Sequence, residues 1–215
     1  MQPFTTLTSI AAPLLRDNIN TDQICPVLPL RILDPDYAAQ LFLRWRLNTD
    51  GRENSGFVLN QPPFRRSGIL VAGRNFGSGS ARESAAWAIS AFGIRCIIAR
   101  SFGELFRGNC IRNGILPIVL STDQSEAFEE RVLKTNGAKP FTVDLASGRI
   151  ICPDGLVFTF EIDPADRTAL LEGLDEIGLT LKYVADIAAW EEKCRARQPW
   201  LQTMTRNPAG RIDVA

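Results

Sequence analysis

The amino-acid sequence predicts an α/β fold with a largely parallel central sheet flanked by helices, together with a β-hairpin region. The first observation is a series of three short apolar runs, each separated from the next by a helical pattern, at residues 69–72, 96–99 and 116–120. Strands that alternate with helices at this spacing are typical of right-handed crossovers and parallel pairing. The second observation is a pair of strand-like segments, 141–145 and 149–152, joined by Ala-Ser-Gly, which predicts a hairpin.

Helices are predicted between the three parallel strands. They span residues 82–92 and 101–112, and the second has Ser101 as its predicted N-cap with Glu104 completing a capping box. A helix C-cap glycine is expected at two positions, Gly93 and Gly114. After the hairpin, the sequence predicts one strand and then two helices, at residues 157–162, 164–171 and 184–197.

A chain of 215 residues has the length of one domain, and we expect a single domain over residues 1–203. Residues 34–67 are predicted to be an insertion, because they are rich in Pro, Asn, Asp, Gly and Arg. The insertion contains one predicted helix over residues 36–46, in which Tyr37, Leu41 and Trp45 recur every fourth position. The polar residues 204–215 are expected to form a flexible C-terminal tail.

The composition argues against several classes of function. The 24 Lys and Arg residues balance 24 Asp and Glu residues, which disfavours a nucleic-acid partner held by bulk electrostatics. No apolar run approaches the roughly 20 residues that span a bilayer, and residues 1–8 lack the features of a signal peptide. We therefore expect a cytoplasmic protein that has no membrane partner. The chain has no histidine and five scattered cysteines, so a metal site and a histidine-activated nucleophile are not expected.

The most informative segment is a loop with three glycines that follows the apolar run at residues 69–72 and delivers Ser80 and then Arg82 to a predicted helix. Such a loop directs backbone N–H groups and a helix N-terminus at one point, where an anion also meets a guanidinium. Arg82 occupies the third glycine position of a dinucleotide fingerprint, and no Gly-Lys-Ser or Gly-Lys-Thr follows. A carboxylate or oxyanion site is therefore predicted. The alternative is a structural turn, with Ser80 as a helix N-cap and Arg82 as a surface residue.

Three separated segments resemble the small subunits of 3-isopropylmalate dehydratase, which correspond to the swivelling domain of the aconitase superfamily. The first is Gly-Arg-Asn-Phe-Gly-Ser-Gly-Ser-Ala-Arg-Glu-Ser at residues 73–84, with Ser-Phe-Gly-Glu-Leu-Phe at 101–106. The second is Asn-Thr-Asp at residues 20–22, and the third is Gly-Leu-Asp-Glu-Ile-Gly-Leu-Thr-Leu at 173–181. The resemblance extends from about residue 7 to residue 201 and implies an aconitase-type swivelling β/β/α domain.

The resemblance also implies an activity, which is the interconversion of 2-isopropylmalate and 3-isopropylmalate by dehydration and rehydration in leucine biosynthesis. It implies that Ser80 is the catalytic base, used as an alkoxide. The substrate-binding residues that it implies are Arg82, Ala81, Gly79, Thr21 and Asp22. Finally, it implies a heterodimer or larger assembly with an iron–sulfur large subunit, which supplies the [4Fe–4S] cluster, while this chain binds no cofactor and is inactive alone.

Several positions depart from the pattern of that family. Ala81 stands in place of a second serine, Ser84 in place of a histidine and Asn20 in place of an aspartate, and the run at residues 25–31 also differs. Three alternatives therefore stay open. They are a paralogous small subunit for a citraconate, 2-methylmalate, dimethylmalate or homoaconitate type of substrate, an inactive regulatory relative, and an anion-binding module that works alone.

Overall fold

The computed structural model describes residues 1–27, 35–80 and 82–202. Their strands form two four-stranded sheets, one parallel and one antiparallel. In chain order these strands are β1 (Thr6–Ser9), β2 (Ala11–Leu14), β3 (Ile69–Ala72), β4 (Cys96–Ala99), β5 (Leu116–Val119), β6 (Phe141–Asp144), β7 (Arg149–Ile151) and β8 (Val157–Thr159).

The helices of the described residues range in length from four residues to fourteen. In chain order they are α1 (Thr21–Ile24), α2 (Tyr37–Gln40), α3 (Leu43–Arg46), α4 (Ser84–Phe92), α5 (Glu104–Arg112), α6 (Thr122–Thr135), α7 (Pro164–Glu172), α8 (Glu176–Leu181) and α9 (Val184–Arg197). Short 3₁₀ helices occupy Val58–Asn60 and Pro199–Gln202. Within the ranges that the structure describes, no helix combines the length and the apolar composition required to cross a membrane.

The parallel sheet has the order β2-β3-β4-β5, and every neighbouring pair runs in the same direction. Every residue of β3 and β4 is buried, which is typical of a parallel sheet covered on both faces. The prediction of a largely parallel central sheet is confirmed. Strand β2 is an addition to the predicted strands, and it places the N-terminal part of the chain directly beside β3.

Side chains of the parallel sheet alternate between two apolar layers, because successive residues of a strand point to opposite faces. On one face, Leu70 of β3 packs in a layer that includes Ile89 of α4. On the other face, Val71 belongs to a layer that includes Phe128 of α6 and Phe141 of β6. The antiparallel sheet and α6 therefore cover the face of the parallel sheet that α4 does not cover.

The antiparallel sheet has the order β1-β6-β7-β8. Strands β6 and β7 form the predicted hairpin, in which Asp144 lies opposite Arg149. Gly148 closes the turn with a φ of 64°, a left-handed conformation that glycine adopts without a steric penalty. The prediction of a β-hairpin region is thus confirmed, although β8 ends at Thr159 and does not reach residue 162.

The prediction of one helix over residues 36–46 is wrong, because the insertion contains the two separate helices α2 and α3. Phe42 lies between them with a φ of 48°. Its ring is fully buried and stacks on Trp45 with 5.5 Å between ring centroids, and its N–H donates to the carbonyl of Ile24 at 2.7 Å. The helix is therefore interrupted at Phe42, which is buried and bonded to a distant segment. An apolar repeat at every fourth position does not reveal such an interruption.

The predicted starts of α4 and α5 are also wrong. Helix α4 begins at Ser84, with Glu83 as its N-cap, so Ser80 and Arg82 precede the helix. Helix α5 begins at Glu104 with Gly103 as its N-cap, and no side chain caps it. The predicted capping box at Ser101 is absent from α5, because the Ser101 hydroxyl accepts a hydrogen bond from the distant backbone N–H of Asn75 at 2.8 Å.

Helices α7 and α9 lie where the sequence predicts helices, whereas α6 and α8 are additions. Ser121 and Gln124 form a capping box at the start of α6, and buried Phe128 and Val132 lie four residues apart along it. These signals precede the Asn136-Gly137 turn and identify the helix once they are considered together.

The chain divides into two compact units, residues 1–174 and 175–215. The first contains both sheets and helices α1 to α7, and the described part of the second contains α8, α9 and the final 3₁₀ helix. The single domain over residues 1–203 stays a prediction. The predicted tail over residues 204–215 lies outside the described residues.

Candidate active site

The candidate site lies at the carboxyl ends of neighbouring parallel strands. The glycine loop, which we define as residues 73–80, follows β3, and the N-terminal segment, residues 15–22, follows β2. Because β2 and β3 are parallel neighbours, both segments leave the sheet at the same edge. Crevices at this edge are where open α/β sheets bind their ligands.

Backbone hydrogen bonds join the two segments along most of their length. An N–H of one segment donates to a carbonyl of the other at 2.7–3.0 Å in three pairs: Asn18 to Arg74, Gly77 to Ile19, and Thr21 to Ser78. The backbone of the glycine loop is therefore fixed relative to the N-terminal segment before any side chain is considered.

Two asparagines support the same junction with their side chains. Asn18 and Asn75 both have a φ of 56°, a conformation that asparagine tolerates better than most residues. The Nδ2 of Asn75 donates to the Oδ1 of Asn18 at 2.9 Å. At the start of the loop, the carboxylate of Asp17 accepts from the N–H of Arg74 at 2.6 Å. Asn75, the asparagine of the glycine-loop motif, thus braces the loop.

Glycine is required at position 77 for two reasons. Its φ of 74° is left-handed, and a Cβ placed there would overlap the ring of Phe106. Phe106 is buried and packs edge-to-face against Phe76, with 5.5 Å between ring centroids. Gly79 has a φ of 95°, but a Cβ there would meet no atom closer than 3.7 Å, so its requirement is conformational.

Helix α1 positions Thr21 and Asp22. Its N-cap is Asn20, whose side chain accepts from the N–H of Gln23 while the side chain of Gln23 accepts from the N–H of Asn20. Thr21 is buried, and its hydroxyl donates to the carbonyl of Ser80 at 3.2 Å. A side chain at the first position of α1 thus fixes the backbone of Ser80.

The side chains of Ser80, Arg82 and Asp22 form one hydrogen-bonded group. The Nε of Arg82 donates to the Oγ of Ser80 at 3.0 Å, and its Nη2 donates to the carboxylate of Asp22. Ser80 is exposed, and the side chains of Arg82 and Asp22 are 28% and 60% exposed. These two contacts use two of the five N–H donors of the guanidinium. The group is therefore accessible to a small anion, and the cation favours negative charge on the Ser80 oxygen.

Cys25 is a neighbour of this group that the sequence patterns did not single out. It is buried, and burial raises the pKa of its thiol above the usual value. A hydrogen bond with the hydroxyl of Ser84 and the charge of Arg82 act in the opposite direction on that pKa. The only signal in the sequence is its spacing, three residues after Asp22 at the end of α1.

Glu83, the other polar residue of the motif, points to a different contact. Its carboxylate accepts from the side-chain amide of Asn113, at the C-terminal end of α5, at 3.1 Å. This bond connects the residue before α4 with the end of α5, so Glu83 braces the segment that carries Arg82.

Five of the six predicted site residues therefore lie in one small region: Gly79, Ser80, Arg82, Thr21 and Asp22. Ala81 lies outside the described residues, as do residues 28–34, which include most of the run at 25–31 that departs from the family pattern.

The described residues do not fit an iron–sulfur cluster, which requires several thiolates around one point. No group of three or more His, Cys, Asp or Glu side chains that could hold a metal ion occurs in the described ranges. Burial raises the pKa of Cys96 and Cys110 well above the usual value, and that of Cys152 to about 11, so these thiols stay protonated at neutral pH.

Comparison with known families matches three parts of the chain. A model described as the aconitase C-terminal domain matches residues 1–123, which contain the whole candidate site. A model described as LeuD_N matches residues 130–164, and one described as the C-terminal domain of the 3-isopropylmalate dehydratase small subunit matches residues 176–203.

Similar proteins agree with these matches. The 3-isopropylmalate dehydratase small subunit of Azorhizobium caulinodans is 46% identical over 203 residues, which are 94% of this chain and 100% of that protein. The protein of the same name from Paramagnetospirillum magneticum is 48% identical over 202 residues, again 94% of this chain and 100% of the relative. A crystal structure of 3-isopropylmalate dehydratase (leuD) from Methanocaldococcus jannaschii has a TM-score of 0.56 at 25% identity, covering 87% of this chain and 98% of that one.

Proposed function

The chain belongs to the family of 3-isopropylmalate dehydratase small subunits, and from this premise we propose that it serves a hydro-lyase that interconverts 2-isopropylmalate and 3-isopropylmalate in leucine biosynthesis. Relatives with that name match across their whole length at 46% and 48% identity. The observation that carries the proposal is the hydrogen-bonded group of Ser80, Arg82 and Asp22 on an accessible loop.

The reaction makes three chemical demands. A proton leaves the carbon beside a carboxylate, hydroxide leaves the neighbouring carbon, and water then adds with the opposite regiochemistry. The substrate carboxylates need fixed cations, and the carbanion-like transition state needs donors that are already in place. The departing hydroxide needs a Lewis acid.

We assign the proton transfer to Ser80. As an alkoxide, its Oγ takes the proton from the substrate carbon and becomes a neutral hydroxyl, and it returns the proton in the reverse step. A free serine hydroxyl is too weak an acid for this role. The Nε of Arg82, 3.0 Å from the Oγ, stabilises the negative oxygen, and the Thr21 hydroxyl holds the Ser80 carbonyl.

We assign the binding of a substrate carboxylate to Arg82, because a guanidinium offers two parallel N–H groups to a planar anion. Asp22 holds one Nη of this guanidinium and so fixes its orientation. The remaining assignments are the backbone of Gly79 and Ala81 as donors to the substrate, with Thr21 supporting the loop.

The Lewis acid in this proposal is a [4Fe–4S] cluster carried by a large subunit, in a heterodimer or larger assembly. Two features support this division: relatives of this chain are named small subunits, and the described residues do not fit a cluster. We place the protein in the cytoplasm, because its five cysteines form no disulfide. Neither a nucleic acid nor a membrane is part of the proposal.

The test is turnover by a reconstituted complex. The chain is mixed with the cluster-loaded large subunit from the same organism, and kcat/KM is measured for isopropylmalate, 2-methylmalate, 2,3-dimethylmalate and homoaconitate. We expect kcat/KM to be highest for isopropylmalate and expect no turnover by either chain alone. A higher value for any other substrate would assign the chain to a paralogous hydro-lyase, and inactivity on all four would contradict the proposal.

A further inference from the structure

Asn113 closes helix α5 and donates both hydrogens of its side-chain amide. Its Nδ2 donates to the carboxylate of Glu83 at 3.1 Å and to the carbonyl of Asn109 at 2.9 Å. Its backbone N–H donates to the carbonyls of Asn109 and Cys110. Because an amide nitrogen carries two hydrogens, both are used and the orientation of the side chain is set. The hydrogen that Glu83 accepts is therefore fixed by the end of a helix.

Glu83 occupies the junction between Arg82 and helix α4. It is the N-cap residue of α4, but its side chain makes no capping hydrogen bond to that helix. Its carboxylate accepts from Asn113 instead, and hydrogen bonds that include a charged group are stronger than neutral ones. Arg82 itself lies outside regular secondary structure. The anchoring of its covalent neighbour Glu83 therefore helps to determine where the backbone of Arg82 lies.

Helix α5 also contacts the glycine loop, at its other end. The N–H of Gly103, the N-cap residue of α5, donates to the carbonyl of Phe76 at 2.9 Å. A Cβ on Gly103 would lie 2.6 Å from the carbonyl oxygen of Gly77, so the two backbones are in close contact. One helix thus contacts both the glycine loop and, through Asn113, the segment that carries Arg82.

We propose that Asn113 is a positioning residue for the dehydratase reaction, which acts through Glu83 to hold Arg82 at hydrogen-bonding distance from Ser80. This inference rests on the proposed function, because it takes Ser80 as the base and Arg82 as the cation beside it. The Nε of Arg82 is 3.0 Å from the Oγ of Ser80, and a shift of the Arg82 backbone would lengthen this contact. Charge stabilisation depends on geometry that is set in advance, and a displacement of about 1 Å can lower turnover about a hundredfold.

Three variants separate the hydrogen bond from the charge. Asn113→Ala removes the bond and leaves the charge unchanged, whereas Asn113→Asp removes the bond and adds a negative charge. The double variant Glu83→Gln/Asn113→Asp restores the original charge and reverses the bond, because the new amide at position 83 donates to the new carboxylate at position 113. Asn136→Asp is the control, since Asn136 is likewise the C-cap residue of a helix, α6.

Turnover of isopropylmalate is measured with the full-length chain in complex with the cluster-loaded large subunit. We expect kcat/KM to fall about tenfold or more in Asn113→Ala and Asn113→Asp, and to return to within about threefold of the original value in the double variant. Asn136→Asp should leave it unchanged. The free energy of unfolding is measured for the same variants. A loss of stability without a loss of kcat/KM would mean that the bond is only structural, and a loss confined to Asn113→Asp would assign the effect to charge; either result would overturn the proposal.

The NMR signal of the Arg82 Nε–H group provides a second readout, which needs neither the large subunit nor turnover. In the isotope-labelled full-length chain, this signal is assigned by its loss in Arg82→Lys. We expect its hydrogen to exchange with water about threefold faster or more in Asn113→Ala and to return to the original rate in the double variant, because the bond to Ser80 protects it. An unchanged rate in Asn113→Ala would overturn the proposal, whatever the effect on kcat/KM.

The two readouts distinguish failure of this inference from failure of the proposed function. If the unmodified complex turns over isopropylmalate and Asn113→Ala has the original values in both readouts, only the positioning role is wrong. If the unmodified complex is inactive on isopropylmalate, the proposed function is contradicted, and the exchange rate at Arg82 decides by itself whether Asn113 holds that side chain. A double variant that recovers neither readout would show that positions 83 and 113 do not act as a pair, which would also overturn the proposal.

Discussion

The glycine loop and the helices α8 and α9 are stabilised in opposite ways. The loop is fixed by its own chain, through backbone bonds to the N-terminal segment, the Asn18–Asn75 side-chain pair and the packing of Gly77 on Phe106. The two C-terminal helices bury none of their residues. The difference indicates that contacts within residues 1–174 organise the glycine loop, whereas α8 and α9 contribute no buried residue.

The largest expected difference between residues 1–174, which include the glycine loop, and the C-terminal helices is in the stability lost when an apolar side chain is removed. Ile89 of α4 is fully buried, and Ile187 of α9 is 38% exposed. We expect Ile89→Ala to lower the free energy of unfolding by about 2–5 kcal/mol, because it leaves a cavity in the core. We expect Ile187→Ala to change it by less than about 0.5 kcal/mol.

Urea denaturation of the two variants measures this difference in the isolated chain. Equal losses of stability would mean that α9 is packed as firmly as α4, and the contrast between the two regions would not hold.

A smaller effect tests how tightly the loop is packed. Gly77→Ala should destabilise the chain by about 2–4 kcal/mol, since the left-handed backbone costs about 1–2 kcal/mol and the overlap with Phe106 adds to it. Gly155→Ala is the matched control, because Gly155 has a φ of 86° but a Cβ there meets nothing within 4 Å. Gly155→Ala should therefore lower the free energy of unfolding only by the cost of the left-handed backbone, about 1–2 kcal/mol.

Thermal or urea unfolding of both glycine variants gives the two values directly. If Gly77→Ala cost no more than Gly155→Ala, Phe106 would yield to the added methyl group, and the loop would be less rigid than its contacts indicate.

A more local effect tests the side chains that the loop presents. Arg82→Lys removes the simultaneous bonds to Ser80 and Asp22 but keeps the positive charge. We expect kcat/KM for isopropylmalate to fall by about 10–100-fold in the reconstituted complex. Arg44→Lys, at an exposed position of α3, is the control and should retain activity. A change below twofold in Arg82→Lys would show that charge alone is sufficient.

Much of the fold of residues 1–174 was predictable from local sequence patterns. Continuous apolar runs mark β3, β4 and β5, and the Ala-Ser-Gly turn marks the hairpin, because these signals depend on neighbouring residues. The errors have tertiary causes. Phe42 has a left-handed backbone within a segment whose apolar repeat predicts one helix. The Ser101 hydroxyl accepts a hydrogen bond from the N–H of Asn75, 26 positions away in the chain, and does not cap α5.

In the candidate site, too, contacts between neighbouring residues were predictable and contacts between distant residues were not. Ser80 and Arg82 are two residues apart, so a motif suffices to associate them, whereas the contact of Arg82 with Asp22 spans 60 positions and follows from the pairing of β2 with β3. The proximity of Cys25 to Ser84 and Arg82 is likewise a result of folding, since its environment arises from the burial of α1. The spacing of Cys25 from Asp22 places the thiol near the site, but it does not reveal the contact with Ser84.

The most direct measurement of the central claim is the kcat of Ser80→Ala in the complex with the large subunit. If Ser80 is the base, kcat for isopropylmalate falls by about 10²–10⁴-fold while affinity for the large subunit and thermal stability stay unchanged. The same substitution at Ser90, within α4, should leave kcat as it is. An intact complex of Ser80→Ala that turns over at the rate of the unmodified chain would contradict the assignment.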